Sequence, residues 1–173
     1  MRQKHFFSIL LMLLCLGISN AWAEDPETIA TATFNGKNAT YTTGWSTTGT
    51  GVSRTDCIVI GSGENITSPS INLSGYDSIS ITFTGRRYGS LSGSKATVAV
   101  SFGSTELGTI NITNGSVGNV SGNIGHTIVP ATATTSTFVF TCTNATSAGS
   151  THGAGIGSIT ITGFKPAPTN PTV

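Results

Sequence analysis

Charge is what this sequence has least of. Only 9% of its 173 residues are Asp, Glu, Lys or Arg. Nothing resembling a basic stripe can be assembled from so few, which excludes nucleic acid as a partner held through its phosphates. Beyond residue 23 no segment repeats its apolar residues at a helical period, and no apolar run is long enough to span a bilayer. Histidine is nearly absent too: three in the chain, with only His126 and His152 outside the N-terminal segment. Without His-x-x-x-His or Cys-x-x-Cys spacing, a zinc site has too few ligands. No Gly-x-Ser-x-Gly window supplies a nucleophile elbow, and the Gly-rich stretch at 61–65 lacks the lysine of a phosphate loop.

What is present begins with an address. Arg2 and Lys4 precede an apolar run from Phe6 to Ile18, and Ala21-Trp22-Ala23 supplies the small-x-small pattern of a signal-peptidase site. Residues 1–23 are therefore read as a signal peptide and the mature chain as starting at Glu24. Cys15 does not make this a lipoprotein signal, because bulky Leu14 precedes it. The expected destination is secretion, the periplasm or the cell surface through the Sec route, without membrane insertion. Eight basic residues face seven acidic ones in the whole chain, and loss of Arg2 and Lys4 turns a net +1 into −1.

The mature residues alternate. In "DSISITFTG" (77–85) Ile79, Ile81 and Phe83 share one face while Ser80, Thr82 and Thr84 share the other. The same period of two recurs over 28–34, 56–61, 65–73, 96–103, 107–114, 125–130, 136–143 and 155–164, with Gly, Ser and Asn clusters between. Nine short runs of this kind predict an all-β fold, a two-sheet antiparallel β-sandwich (jelly roll), over residues 24–164. Pro69 inside the third run marks an edge, a bulge or a break. Residues 165–173, "KPAPTNPTV", carry no core-forming pattern and read as a Pro/Thr-rich tail, or as a linker to a downstream domain.

Cys57 and Cys142 are the only cysteines after the signal peptide. An oxidising destination permits a disulfide between them, which would contribute about 4 kcal/mol on the chain-entropy model. Both also fall on apolar strand positions, where a buried thiol acts as a small hydrophobe.

Two polar, glycine-rich connections, 35–55 and 86–95, hold Tyr41, Trp45 and Tyr88, with Arg86 and Arg87 beside the last. Loops at the ends of a sandwich are common binding sites. A flat aromatic face and the fixed donor fork of Arg are what a polyhydroxylated ligand needs. Tyr41, Trp45, Arg86, Arg87 and Tyr88 are thus the candidate ligand-binding residues. Trp45 would serve equally as a core plug, and the arginines as a solvated strand end. The carboxylates Asp56, Glu64, Asp77 and Glu106 read as structural or solvated groups, not as a glycosidase pair, so no enzyme is expected.

The run "ITSPSINLSGYDSISITFTGR", the Gly44-Trp45 pair upstream and the closing "GIGSITITG" resemble the jelly-roll, galactose-binding-like modules of secreted bacterial proteins, the cleaved-adhesin and choice-of-anchor types. The resemblance spans Ala30 to Phe164. It implies a non-catalytic accessory that binds glycan or a cell surface, and in several such modules a structural calcium. The paired aspartates of the closing motif are here Gly157 and Ser158. Calcium requires several hard oxygen ligands, so no cofactor is expected; the alternative is a structural calcium held by backbone carbonyls with Glu27 or Asp56. The expected function is a secreted binding module for a glycan or surface ligand; the alternative is a spacer or adhesin-type interaction domain of a larger protein.

Overall fold

The alternating runs pair into antiparallel ladders in a computed structural model, which describes residues 26–34, 44–48, 52–53, 55–89, 95–120, 124–128, 134–144 and 153–166. Residues 1–23, read above as a signal peptide, and Tyr41 lie outside the described residues. The strands are β1 (Pro26–Thr33), β2 (Ser46–Thr48), β3 (Val52–Ser53), β4 (Ile58–Ile60), β5 (Asn65–Thr67), β6 (Ile71–Asn72) and β7 (Ser78–Tyr88). They continue as β8 (Ala96–Phe102), β9 (Thr105–Ile112), β10 (Gly118–Asn119), β11 (Ile124–Ile128), β12 (Thr135–Ser136), β13 (Phe138–Cys142) and β14 (Gly153–Phe164).

One sheet of seven strands is built on β7 and β14, which pair along their whole lengths from Gly153↔Tyr88 to Phe164↔Ser78. On the far side of β14 lie β1 and the β4–β3 pair, and on the far side of β7 lie β10 and β11. The second sheet runs β2-β5-β13-β8-β9, and a two-stranded ribbon joins β6 to β12. The chain passes repeatedly between the sheets, which is the jelly-roll form of the expected two-sheet sandwich.

Between the sheets lies one apolar cluster. Ile79, Ile81 and Phe83 of β7 and Ile159 and Ile161 of β14 meet Val98, Val100 and Phe102 of β8 and Phe138 and Phe140 of β13. Each such fully buried side chain contributes about 1.5–3 kcal/mol relative to exposure. Ser80, Thr82 and Thr84 fall on the outer face, as the alternation requires.

Three departures from the sequence reading position the site. Pro69 acts as a break: the expected single run 65–73 becomes β5 and β6, which belong to different sheets. Ser68 closes the gap, accepting from the Phe138 N–H at 2.8 Å and donating its hydroxyl to the Pro69 carbonyl at 2.7 Å. The stretch expected as one long loop, 35–55, contains the short strands β2 and β3. Finally, β7 does not end at Gly85 but runs on to Tyr88, because β14 starts early enough to pair with it. Arg86, Arg87 and Tyr88 are strand residues, not loop residues.

Spacing in the closing strand has its own explanation. Ile156 and Ile159 are three apart, yet both are buried in the core cluster. A bulge between Ile156 and Ser158 inserts Gly157 and restores the phase. A Cβ at Gly157 would lie 2.8 Å from Thr84 Oγ1 and 2.8 Å from Val117 Cγ1, so the bulge position takes glycine.

Cys57 and Cys142 are buried and are not disulfide-bonded to each other. Cys142 belongs to the core cluster on β13. Cys57 sits against Gly155, on the other side of the seven-stranded sheet from the core. The sheet itself separates the two thiols.

Candidate functional site on the outer face of the seven-stranded sheet

Strand alternation sorts the candidate residues. Arg86 pairs opposite Gly155 and Tyr88 opposite Gly153, both on the outer face with Thr82 and Thr84. Arg87 pairs opposite Ala154, a core residue, and so points to the other face. The structure brings Arg86 and Tyr88 together and leaves Arg87 apart from them. Trp45 is in neither place: it is 6% exposed, with its ring 6.2 Å from Phe34 in an edge-on contact and 6.1 Å from Phe140. Its role is the core plug.

Gly155 makes the floor for Arg86. A Cβ there would stand 2.9 Å from both Arg86 Cγ and Cys57 Sγ, so only a glycine lets the arginine stem lie flat across the sheet. From that position Arg86 Nη1 donates to Asp56 Oδ2 at 3.4 Å, and the guanidinium carbon lies 5.4 Å from the Tyr88 ring centroid. A guanidinium at that distance is attracted to the ring face. Arg86 Nε is buried and has no hydrogen-bond partner among the described residues. Asp56 retains 42% side-chain exposure, and Arg86 retains 29%. The group is therefore fixed, partly open and close to neutral overall.

One step back along β7, roughly 7 Å away, the face becomes a hydroxyl surface. The Thr84 and Ser158 hydroxyls hydrogen-bond at 2.8 Å. A depression of about 370 Å³ is lined by Thr82, Thr84, Asn119, Val120, Ser158 and Thr160. Asn119 is placed by β10, whose pairing opposite Thr84 is clasped by the Asn114 amide donating to the Asn119 carbonyl at 3.0 Å. Donors, acceptors and one aromatic ring thus line a single strip from Thr82 to Tyr88. Sequence reasoning missed the hydroxyl and Asn119 part, because the same Ser/Thr alternation occurs on most strands.

The carboxylates do not converge. Asp56 is engaged by Arg86; Glu64 is 7% exposed and accepts from the Gly61 N–H at 2.8 Å, bracing the turn before β5. Asp77 is exposed at the turn into β7, and Glu106 is exposed on β9 of the other sheet. Glu27 is ion-paired with Lys165 at 2.6 Å. Among the described residues no three His, Cys, Asp or Glu side chains group as metal ligands. In the closing motif, the Ser158 hydroxyl is bonded to Thr84 and Gly157 has no room for a side chain. No helix of the described residues is long and apolar enough to cross a membrane.

No protein-family model matches the chain, and no curated protein matches its sequence. Similar solved structures exist at low identity. The CBM36-1 domain of a multidomain xylanase from the hindgut metagenome of Trinervitermes trinervoides is 12% identical, with 87% of this chain and 94% of that one covered and a TM-score of 0.48. A carbohydrate-binding module CBM36 in complex with calcium and xylotriose is 14% identical, covering 77% and 99%, at a TM-score of 0.48. The second N-terminal cellulose-binding domain of Cellulomonas fimi β-1,4-glucanase C is 14% identical, covering 86% and 100%, at 0.49.

Proposed function

We propose that the chain is a secreted, non-catalytic binding module that takes a neutral glycan on the outer face of the seven-stranded sheet. One observation carries this reading: Arg86 laid over Gly155, paired with Asp56 and capped by Tyr88, at the end of a hydroxyl-lined depression. Neighbouring sugar hydroxyls both donate and accept, and an Arg–Asp pair answers both demands from one place. The Tyr88 ring offers an apolar plane to sugar C–H groups. Because Asp56 offsets the arginine charge, the site favours uncharged sugars over acidic ones. The carboxylates are dispersed and do not converge, which supports a binding role. The N-terminal signal pattern supports export.

The test uses residues 24–173 in pull-downs on insoluble polysaccharides, followed by titration with soluble neutral and uronic-acid oligosaccharides. Binding to a neutral glycan that is lost in Arg86→Ala and Tyr88→Ala, and kept in Arg87→Ala, is the expected result. Binding to none of the polysaccharides, or binding indifferent to Arg86 and Tyr88, removes this reading and leaves the spacer or adhesin-type alternative.

A further inference from the structure

A second concavity lies toward the start of β7, beside β1. It measures about 470 Å³, within the range of small-ligand sites. Ile29, Trp45, Pro69 and Ile71 supply apolar walls, while Glu27 and Asn72 supply polar groups.

The walls are rigid for identifiable reasons. Trp45 is held between Phe34 and Phe140 with 6% of it exposed, so little of the ring reaches the concavity. Tyr76 is wedged on Gly163, where a Cβ would meet the ring at 2.4–2.9 Å. Gly44, with φ +87, leaves 3.1 Å between its missing Cβ and Pro69, which seats the Pro69 ring beside Trp45.

The polar groups are preset as one acceptor and one donor. Lys165 first, and then the Tyr76 hydroxyl, hydrogen-bond the Glu27 carboxylate and hold its pKa below the usual range, so it stays ionised and accepting. Asn72 Oδ1 accepts from the Ser74 N–H at 2.8 Å, so what the amide offers a ligand is its NH₂.

From this we infer a second binding site, for a single neutral pyranose ring, such as the end of a glycan chain. An aliphatic ligand would desolvate Glu27 and Asn72 without repaying them. An anion would face the Glu27 carboxylate, and a cation would find that carboxylate already bound to Lys165. A pyranose has both an apolar face for Ile29, Pro69 and Trp45 and hydroxyls for the acceptor and donor. The Arg86–Tyr88 end of the strip and this concavity lie toward opposite ends of the 11-residue β7, while Thr31 of the concavity pairs with Thr160 of the hydroxyl-lined depression. This site rests on none of the residues of the outer-face strip.

Residues 24–173 contain Trp45 as their single tryptophan, which makes its fluorescence the reporter. Titration with the methyl glycosides of glucose, galactose and xylose is expected to give a saturable Trp45 change with at least one of them. The change persists in Arg86→Ala. In Asn72→Ala the apparent Kd rises about fivefold, the loss of one hydrogen bond. In Ser70→Phe, which fills the pocket from an exposed position, the response disappears. A flat signal with all three glycosides overturns the inference, as does a response that survives Ser70→Phe or one that vanishes with Arg86→Ala.

Discussion

Arg86 lies across Gly155, with 2.9 Å between the arginine Cγ and the place where a β-carbon would be. The two residues are directly paired in the β7–β14 ladder, so neither can shift without its partner. Gly155→Ala drives a methyl group against Arg86 and against the buried Cys57 Sγ. Overpacking of that kind costs about 1–3 kcal/mol. Denaturant melts of Gly155→Ala are expected to show that loss, and glycan titration a weakening comparable to Arg86→Ala. A variant as stable and as active as the parent would mean that the arginine does not need its glycine floor.

Arg87 provides the internal control for the outer-face site. It stands one residue from Arg86 with the same charge and faces the other side of the sheet. Arg87→Ala is expected to change glycan affinity less than about twofold, whereas Arg86→Ala loses at least tenfold, since hydrogen bonds to charged groups are worth about 1.5–3 kcal/mol. Isothermal titration of both variants separates a positioned donor from a general electrostatic attraction, which would weaken equally in the two.

Binding is also expected to be indifferent to chelation. At the closing motif Gly157 admits no side chain and the Ser158 hydroxyl is held by Thr84. Affinity measured with EDTA and with added calcium should agree, and a calcium-dependent affinity would place metal ligands in this protein that its closing strand does not supply.

Stability has a defined pH window through the Glu27–Tyr76–Lys165 clasp, which joins the start of β1 to the end of β14. Hydrogen bonds from Lys165 and then Tyr76, with the Lys165 charge, lower the Glu27 pKa from 4.5. A lowered carboxyl stabilises the fold above its unfolded pKa, and the contribution is lost as pH falls through the folded one. Burial, and next the bond to Glu27, raise the Tyr76 pKa from 10.0. That contribution is present below the unfolded value and lost as pH rises past the folded one. The melting temperature should be flat between these limits and fall on both sides. In Glu27→Gln the acid-side fall should be shallower; an unchanged profile would show the clasp to be energetically silent.

The thiols give a redox prediction. Cys57 and Cys142 are buried and unbridged to each other, so a reductant should leave the melting temperature unchanged, and alkylation should label both only after unfolding. A mass two hydrogens short in the unreduced protein, with lower stability on reduction, would restore the bridge that the sequence also allowed.

How much of this was legible beforehand differs from residue to residue. The alternation of Ile79, Ile81 and Phe83 with Ser and Thr was enough to assign core and outer faces, because strand geometry sends successive side chains to opposite sides whatever the rest of the chain does. Pro69 announced a discontinuity for a similarly local reason, since it lacks a ladder donor. The Arg86-Arg87-Tyr88 run could not be assigned this way. Whether it continued β7 depended on pairing with Gly153 to Gly155, far along the chain, and sequence-local propensity carries no record of a partner that remote. The glycine floors are of the same kind. Nothing next to Gly155 or Gly163 in sequence says that an arginine stem will cross one and a tyrosine ring rest on the other. The sequence by itself determined a weakly charged β-sandwich with hydroxyl-rich faces. Only the tertiary structure decided that Arg86 and Tyr88 lie together with Asp56 on one face while Arg87 does not, because strand register, set by non-local pairing, chooses which neighbours share a face.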